Sequence, residues 1–314
     1  MVSKGIAYAL GACLLWGLIF IIPLYMEGFS PIEIALGRYL VYGTLSLIIL
    51  AKAMMQGSCY YPLPIWGRAI AFSFVLSLGY YPALILSIRY ANAAVAALVA
   101  GLAPIAIAFY GNLRERECSF RALVLPSLLI LCGLIMINVP YMHASAASSD
   151  YLLGLGCGLL SLCAWVSYVV ANSRFLKKNP QIASADWTTL IGVGTLFWTA
   201  FSVLIIGLFY IEYFDPQRYH IDELDFAVFV VGCVILGLIC SWLAQYCWNK
   251  ASLYLPVSLA GQVTVCETIF AICFVYAVEQ RLPPQKELLG IALFLLAVVF
   301  ALRGFAKSRN PSLD

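Results

Sequence analysis

Apolar residues dominate ten long stretches of the chain, and the polar segments between them are short. A helix of about 20 mostly apolar residues crosses the core of a bilayer. Arg38 and Glu267 are the only charged residues within these stretches. The pattern therefore predicts ten membrane-spanning helices, called spans 1 to 10 in chain order: Gly5–Met26, Ile34–Ala51, Ala69–Ile88, Tyr90–Leu113, Ala122–Asn138, Tyr151–Ser173, Trp187–Ile211, Phe226–Asn249, Ala251–Val278 and Leu288–Leu302.

The remaining polar segments are too short to form an extramembrane domain. The longest of them are Met54–Gly67, Tyr141–Asp150 and Tyr210–Asp225. Span 1 is longer than the apolar core of a signal peptide, and no small-residue cleavage site follows it. We therefore expect span 1 to be retained as a helix.

Composition excludes the main alternative classes of protein. Hydrophobic residues make up 63% of the 314 positions and charged residues 11%. Soluble domains have about 45–50% apolar and about 25% charged residues. The net charge of +3 is too small and too scattered for a nucleic-acid-binding face. The expected surroundings are a lipid bilayer, and no nucleic-acid partner is expected.

The distribution of Lys and Arg predicts the orientation. With a cytoplasmic N-terminus, 13 of the 18 basic residues fall on the cytoplasmic side, four fall outside, and Arg38 lies within span 2. Cytoplasmic segments of membrane proteins carry such an excess of basic residues. We therefore expect both termini to be cytoplasmic, in a bacterial inner membrane.

The two halves of the chain resemble each other weakly. Leu14-Leu15-Trp16 in span 1 matches Cys163-Ala164-Trp165 in span 6, and charged clusters follow both span 4 and span 9. Each half holds five spans, so the two halves have opposite orientations in the membrane. The sequence predicts an all-α integral membrane fold of two inverted five-helix repeats, at residues 1–140 and 151–314, joined by a linker at 141–150. Such repeats are typical of secondary transporters, whose substrate site lies near the midplane between them.

Several short motifs stand out along the chain: Trp16 and Trp165, Gly37-Arg38-Tyr39 in span 2, Pro104 in span 4 and Glu115-Arg116 after span 4. In these motifs and their order the chain resembles the ten-helix EamA branch of the drug/metabolite transporter superfamily. The resemblance implies export or exchange of amino acids and related metabolites. In the wider superfamily, relatives carry nucleotide sugars, sugar phosphates or small cationic drugs.

The sequence departs from the family pattern in span 9. The family often has proline after the acid of this span, whereas here Glu267 is followed by Thr268. The sequence therefore offers no proline to break span 9 at this point.

Polar and aromatic residues at membrane depth are the candidate substrate contacts. Trp16 and Trp165 lie near the centres of their spans, although tryptophan usually favours membrane interfaces. Ser161, Trp165, Tyr168 and Asn172 share one face of span 6. The eight candidates for substrate binding are Trp16, Tyr80, Tyr81, Trp165, Tyr168, Asn172, Ser241 and Gln262. These residues could instead pack neighbouring helices through hydrogen bonds.

We expect five of these candidates to face one central cavity: Trp16, Tyr81, Trp165, Tyr168 and Gln262. Pro82 follows the two tyrosines of span 3 and lacks a backbone N–H. It is therefore expected to kink that span.

The two charges within spans are candidates for coupling or for stabilising the fold. A charge in the bilayer costs about 3 kcal/mol or more on insertion scales, so such residues are functional candidates by default. Arg38 could pair with a helix end or reach outward to the membrane surface. Glu267 could carry a proton, pair with Arg38, cap broken backbone or contact substrate directly.

No enzyme, cofactor or metal site is expected. The sequence contains no Ser/His/Asp set and no paired acids at membrane depth. The 11 cysteines form no Cys-x-x-Cys pair, and the two histidines, His143 and His220, fall in predicted outer loops. Gly154-Leu-Gly-Cys-Gly158 lies in a membrane helix, where its small residues favour close helix packing rather than dinucleotide binding.

The sequence thus predicts a secondary transporter of a small metabolite that works by alternating access, with protons as a possible coupling ion. The substrate class is an amino acid or related compound. A nucleotide-like or cationic metabolite such as S-adenosylmethionine is one alternative, and a membrane scaffold or receptor that transports nothing is another.

Overall fold

The computed structural model describes residues 2–26, 28–57, 61–91, 93–138, 149–209 and 223–309. Within these ranges every regular element is helical, and ten helical segments are long and apolar enough to cross a membrane. The prediction of ten spans in an all-α fold is confirmed. His143, His220, most of the predicted linker 141–150 and most of the loop Tyr210–Asp225 lie outside the described residues.

The first half of the chain contains five spans, several of them built from more than one helical piece. Two short 3-10 helices form the end of span 1, and a π-helical piece lies within span 3. The pieces are Val2–Gly17, Leu18–Phe20 and Ile22–Tyr25; Pro31–Met55; Leu63–Phe74, Val75–Tyr80 and Tyr81–Tyr90; Ala93–Gly101 and Ala103–Glu115; and Phe120–Asn138.

The second half repeats this arrangement. A π-helical piece lies within its third span, and its fourth span is again in two pieces. The pieces are Ser149–Lys178; Ser184–Phe209; Glu223–Gly237, Leu238–Leu243 and Ala244–Tyr254; Val257–Val263 and Val265–Val278; and Gln285–Arg309.

Ten alternating spans place both ends of the chain on one face of the bundle, which we call the terminal face. Gly5 of span 1 packs against Leu255, just beyond span 8, and Gly304 of span 10 packs against Ala122 of span 5. The other end of the bundle is called the opposite face. These names describe geometry only and do not depend on the side of the membrane.

The π-helical pieces of spans 3 and 8 have different local causes. In span 3 the piece Val75–Tyr80 directly precedes Tyr81-Pro82. Pro82 has no N–H and its ring clashes with the carbonyl four residues earlier, so the preceding turn widens. In span 8 the Ser241 hydroxyl donates a hydrogen bond to the Leu236 carbonyl at 2.8 Å. Single π-helical turns inside α-helices are frequent at functional sites.

Spans 4 and 9 are both interrupted near the middle. Span 4 breaks at Leu102, shortly before Pro104. Span 9 breaks at Thr264, whose hydroxyl donates to the Gly261 carbonyl at 2.5 Å. The lack of a proline after Glu267 therefore does not keep span 9 continuous, because the break lies one turn earlier.

The loops after spans 4 and 9 share an unusual backbone conformation. Arg116 and Gln280 are the two non-glycine residues with positive φ in the described ranges, and both have φ of 51°. They occupy the middle of the charged clusters that match between the halves. The equivalence of the two clusters is therefore visible in the backbone as well as in the sequence.

Close packing by glycine occurs where the sequence predicts it. Gly154 of span 6 lies against the backbone of Tyr90 and Ala91, and Gly158 lies against Ser87 of span 3. At both positions a side chain would meet atoms of span 3 or its end. The packing role of the glycine run is confirmed.

Candidate functional site

An aromatic cluster occupies the middle of the bundle. The Trp16 ring centroid lies 5.8 Å from that of Trp165 and 5.5 Å from that of Trp248. Trp165 also contacts Tyr80 at 5.3 Å and stacks on Tyr168 at 5.9 Å. Spans 1, 3, 6 and 8 thus each contribute at least one ring. Four of the predicted substrate contacts, Trp16, Tyr80, Trp165 and Tyr168, meet here.

The exposure of the rings differs across the cluster. Trp248 and Tyr168 are fully buried, whereas Trp165 and Tyr80 keep part of their surface accessible. Trp165 lies 15 residues into span 6 from the opposite face, which is about 22 Å at 1.5 Å per residue. The accessible side of the cluster is therefore at midplane depth and is formed by Trp165 and Tyr80.

Arg38 joins span 2 to the π-helical piece of span 8. Its Nε donates to the Ser241 hydroxyl at 2.7 Å, and its guanidinium carbon lies 5.6 Å from the Tyr39 ring centroid. Ser241 in turn donates to the Leu236 carbonyl. The two predicted site residues Arg38 and Ser241 are therefore direct partners. The other N–H groups of the guanidinium are not used in this contact.

Glu267 lies next to the aromatic cluster, three residues beyond the break in span 9. It is deep in the bundle but keeps part of its surface accessible. The Glu267 charge interacts with the Arg38 charge and with the Tyr80 hydroxyl. Within the described ranges its carboxylate forms no hydrogen bond, and no ion pair within 4 Å joins it to Arg38.

A buried hydrogen-bond network closes the terminal-face side of the cluster. Asn172 donates to the Asn249 side-chain oxygen at 2.9 Å and accepts from the Trp187 indole at 2.7 Å. Asn249 donates to Thr188 at 2.8 Å, and Gln245 donates to Asn249 and to the Tyr168 hydroxyl. Asn172 and Asn249 are fully buried. Asn172 thus lies in a packed network between spans 6, 7 and 8.

Tyr81 lies away from the cluster, in an apolar groove between spans 2, 3 and 7. The groove has a volume of about 370 Å³, and its lining includes Tyr39, Ser77, Tyr81, Pro82 and Phe201. The Tyr81 ring centroid lies 6.2 Å from that of Tyr39, and its hydroxyl donates to the Pro31 carbonyl at 3.3 Å. Tyr39 is therefore shared between the groove and the neighbourhood of Arg38.

Gln262 has an unusual environment among the predicted contacts. It is fully buried in the short helix before the break in span 9, and neither its side-chain oxygen nor its nitrogen has a hydrogen-bond partner among the described residues. Buried polar groups are nearly always paired. The amide is thus a candidate for contact with a water or a ligand rather than a helix-packing group.

The sequence prediction omitted several residues that complete the site. Trp248 adds the third tryptophan of the cluster, and Trp187 and Thr188 anchor the network. One signal for Trp248 was available, because Ser241, Gln245 and Trp248 recur at spacings of four and three on one face of span 8. Trp187 and Thr188 open span 7, where their partners in other spans cannot be read from local sequence.

Comparison with known proteins identifies the family. The model of the EamA-like transporter family matches residues 3–139 and again residues 152–303. Inner membrane protein YtfF of Escherichia coli strain K12 is 30% identical over 98% of this chain and 97% of its own length. A crystal structure with 19% identity aligns over 95% of this chain and 98% of the other with a TM-score of 0.75, which shows a shared fold. The chain belongs to the EamA-like transporter family.

Proposed function

We propose that the protein exports or exchanges an amino acid or a closely related small metabolite by alternating access. The observation that carries this proposal is the aromatic cluster beside the Glu267 carboxylate and the Arg38 guanidinium. The family supports transport in general, and the chemistry of these side chains supports the proposed substrate class.

The charges and rings suit a small zwitterion with an apolar part. The remaining Arg38 N–H groups would bind a substrate carboxylate, whereas Glu267 would hold the coupling proton. Trp165 and Tyr80 offer accessible ring faces for an apolar or cationic group. A substrate with several negative charges would need more than one cation, and Arg38 is the cation whose charge acts on Glu267.

The helix irregularities support alternating access. Spans 3 and 8 carry π-helical turns, and spans 4 and 9 are interrupted, so the same devices occur in both halves. Transporters with inverted repeats build midplane sites from discontinuous helices and move one repeat against the other. The buried network closes the terminal-face side, which supports a conformation whose path leads from the cluster to the opposite face.

A flux measurement tests the proposal. Purified protein in liposomes loaded with a mixture of the 20 common amino acids should show counterflow of at least one radiolabelled amino acid, with saturation. Protein-free liposomes serve as the control. Counterflow limited to S-adenosylmethionine would favour the cationic alternative, whose adenine ring could stack on Trp165. Absence of flux for every compound would favour a scaffold or receptor.

The orientation is also part of the proposal. The excess of basic residues at the terminal face and the similarity to the inner membrane protein YtfF support an inner-membrane protein with both termini in the cytoplasm. A reporter that is active only in the cytoplasm should be active when fused after Arg309. An inactive fusion that is nevertheless produced at normal level would contradict this orientation.

A further inference from the structure

The loop between spans 4 and 5 holds the first turn of span 9 at the terminal face. Glu117 Oε1 accepts a hydrogen bond from the Val257 N–H at 2.7 Å, and Oε2 accepts one from the Ser258 N–H at 2.9 Å. Oε2 also accepts from the Ser258 hydroxyl at 2.8 Å. A carboxylate with three short hydrogen bonds at the start of a helix is a strong, charge-assisted contact.

The same loop binds the end of span 6. Lys177 Nζ lies 3.5 Å from Glu117 Oε1, and Arg174 Nε lies 2.6 Å from Glu115 Oε1. The Glu117 side chain is 13% exposed, whereas Glu115 and Arg174 are 31% and 36% exposed. Water screens the outer pair more strongly, so it contributes less. Glu117 is therefore the main connection.

The loop presents Glu117 in a defined position. The Asn112 side chain donates to the Cys118 carbonyl at 3.0 Å and accepts from the Cys118 N–H at 2.9 Å. Burial, with a smaller contribution from the Glu117 charge, raises the pKa of the Cys118 thiol to about 11. The thiol thus stays protonated and donates to Asn112 Oδ1 at 3.6 Å. These bonds fix the backbone of Cys118 and therefore the position of the adjacent Glu117.

The contacts of Glu117 join the two halves of the protein. Glu117 follows span 4 of the first half, whereas Lys177, Val257 and Ser258 belong to the second half. In alternating access one repeat moves against the other, and a path opens at one face at a time. A conformation open at the terminal face would require these contacts to break.

The equivalent loop at the opposite face carries the reverse charge. Gln280 is the counterpart of Arg116 by its matching φ, 164 residues later, so Arg281 is the counterpart of Glu117. The same 164 residues separate Val257 from Ala93, the first residues of the interrupted spans. A guanidinium has no acceptor and cannot bind backbone N–H groups. Arg281 Nε instead lies 2.6 Å from Glu279 Oε2 of its own loop.

We infer that Glu117 is a one-sided latch that stabilises the conformation closed at the terminal face. The inverted repeat places an equivalent loop at each face of the bundle. At the capping position the terminal-face loop has the Glu117 carboxylate, whereas the opposite-face loop has Arg281. The latch sets which conformation the empty protein favours. This inference rests on the alternating-access mechanism proposed above and does not depend on the substrate.

A distance measurement across the terminal face tests the latch without any substrate. Spin labels are attached through a ketone-bearing unnatural amino acid at the exposed positions Arg121 and Gln181, so the native cysteines remain. Losing even one charge-assisted hydrogen bond shifts a two-state equilibrium by about tenfold. Glu117→Ala should therefore produce a population at longer distance that is small in the unsubstituted protein. Identical distance distributions for Glu117→Ala and the unsubstituted protein would overturn the latch.

Two further variants keep the test specific. Glu115→Ala removes the exposed ion pair and leaves the cap, so its distribution should match the unsubstituted protein. An effect as large as that of Glu117→Ala would overturn the assignment to Glu117. If gel filtration shows that Glu117→Ala is poorly folded, Glu117→Gln replaces it in the test. Glutamine keeps one acceptor oxygen, so the population at longer distance should be larger than in the unsubstituted protein but smaller than after complete loss of the cap.

The opposite face provides the reciprocal experiment. Arg281→Glu places a carboxylate at the position equivalent to Glu117, where it can cap the start of span 4 in the alternate conformation. It should enlarge the population at longer distance across the terminal face. An unchanged or smaller population would overturn the one-sided character of the latch. Because conformation is measured rather than flux, a failed substrate proposal would not change these outcomes.

Discussion

Replacement of Glu267 by Gln is expected to abolish transport driven by a pH gradient while leaving counterflow exchange intact. The carboxylate lies deep in the bundle, keeps a small part of its surface accessible and forms no hydrogen bond in the described part of the chain. Removal from water favours the protonated form of an acid. A carboxyl that faces each side of the membrane in turn can therefore carry a proton, and an amide of the same shape cannot.

The measurement compares two assays on the same liposomes. Gradient-driven uptake of an amino acid found by counterflow should fall to the level of protein-free liposomes, and counterflow should persist. Glu223→Gln, which neutralises an exposed acid at the start of span 8, is the matched control. Full gradient-driven uptake by the Glu267 variant would rule out the proton role. Loss of both activities would instead favour direct contact with substrate.

Truncation of Trp165 to Ala is expected to weaken substrate binding by about tenfold, equal to ~1.4 kcal/mol. Trp165 touches three rings, those of Trp16, Tyr80 and Tyr168, and retains an accessible face. Stacking of a cationic or apolar group on a tryptophan face contributes free energy of this order. The half-saturation concentration for counterflow should rise accordingly.

The control for this variant is Trp198→Ala. Trp198 belongs to a separate aromatic group with Phe74 and Phe201, and its indole donates to the Ile70 carbonyl at 3.0 Å. Its removal should leave the half-saturation concentration unchanged. Thermal unfolding of both variants should be cooperative, which separates weakened binding from loss of the fold. Equal half-saturation constants for Trp165→Ala and the unsubstituted protein would place the substrate elsewhere.

The contacts that close the terminal face have a consequence for the transport mechanism. At the terminal face, packed amides of Asn172 and Asn249 close the bundle within the membrane, and the Glu117 cap closes it at the surface. Under the proposed alternating-access mechanism, an empty transporter with such a bias would favour the conformation whose site is open to the opposite face. With the orientation proposed above, substrate binding from the cytoplasm would require the latch to open first.

Long-range sequence patterns were sufficient for the architecture. Ten apolar stretches predict ten spans because a bilayer core demands a minimum helix length and excludes charge. The inverted repeat was visible in Trp16 and Trp165 and in the charged clusters after spans 4 and 9. The close approach at Gly154 and Gly158 was also predictable, since small residues on a membrane helix have few other uses.

Local sequence was less informative about helix irregularities. Pro82 signals the disturbance of span 3, but the π-helical turn of span 8 depends on a serine hydroxyl that bonds backward to Leu236. The break in span 9 lies at Thr264, one turn before the position at which the family often has a proline. Serine and threonine occur in many regular membrane helices, so their effect on the backbone depends on what surrounds them.

The sequence by itself determined the class of fold, the repeat and a short set of polar residues at membrane depth. Those properties follow from the bilayer as solvent, which acts on each segment separately. Only the tertiary structure decided which of these residues meet: Trp16 and Trp165 form one cluster, Tyr81 lies in a side groove, and Asn172 belongs to a closed network. It also showed that Glu117 binds span 9 from 140 residues away in the chain. Partners so distant in sequence leave no periodic signal, because they are set by the packing of helices rather than by the spacing of residues along one helix.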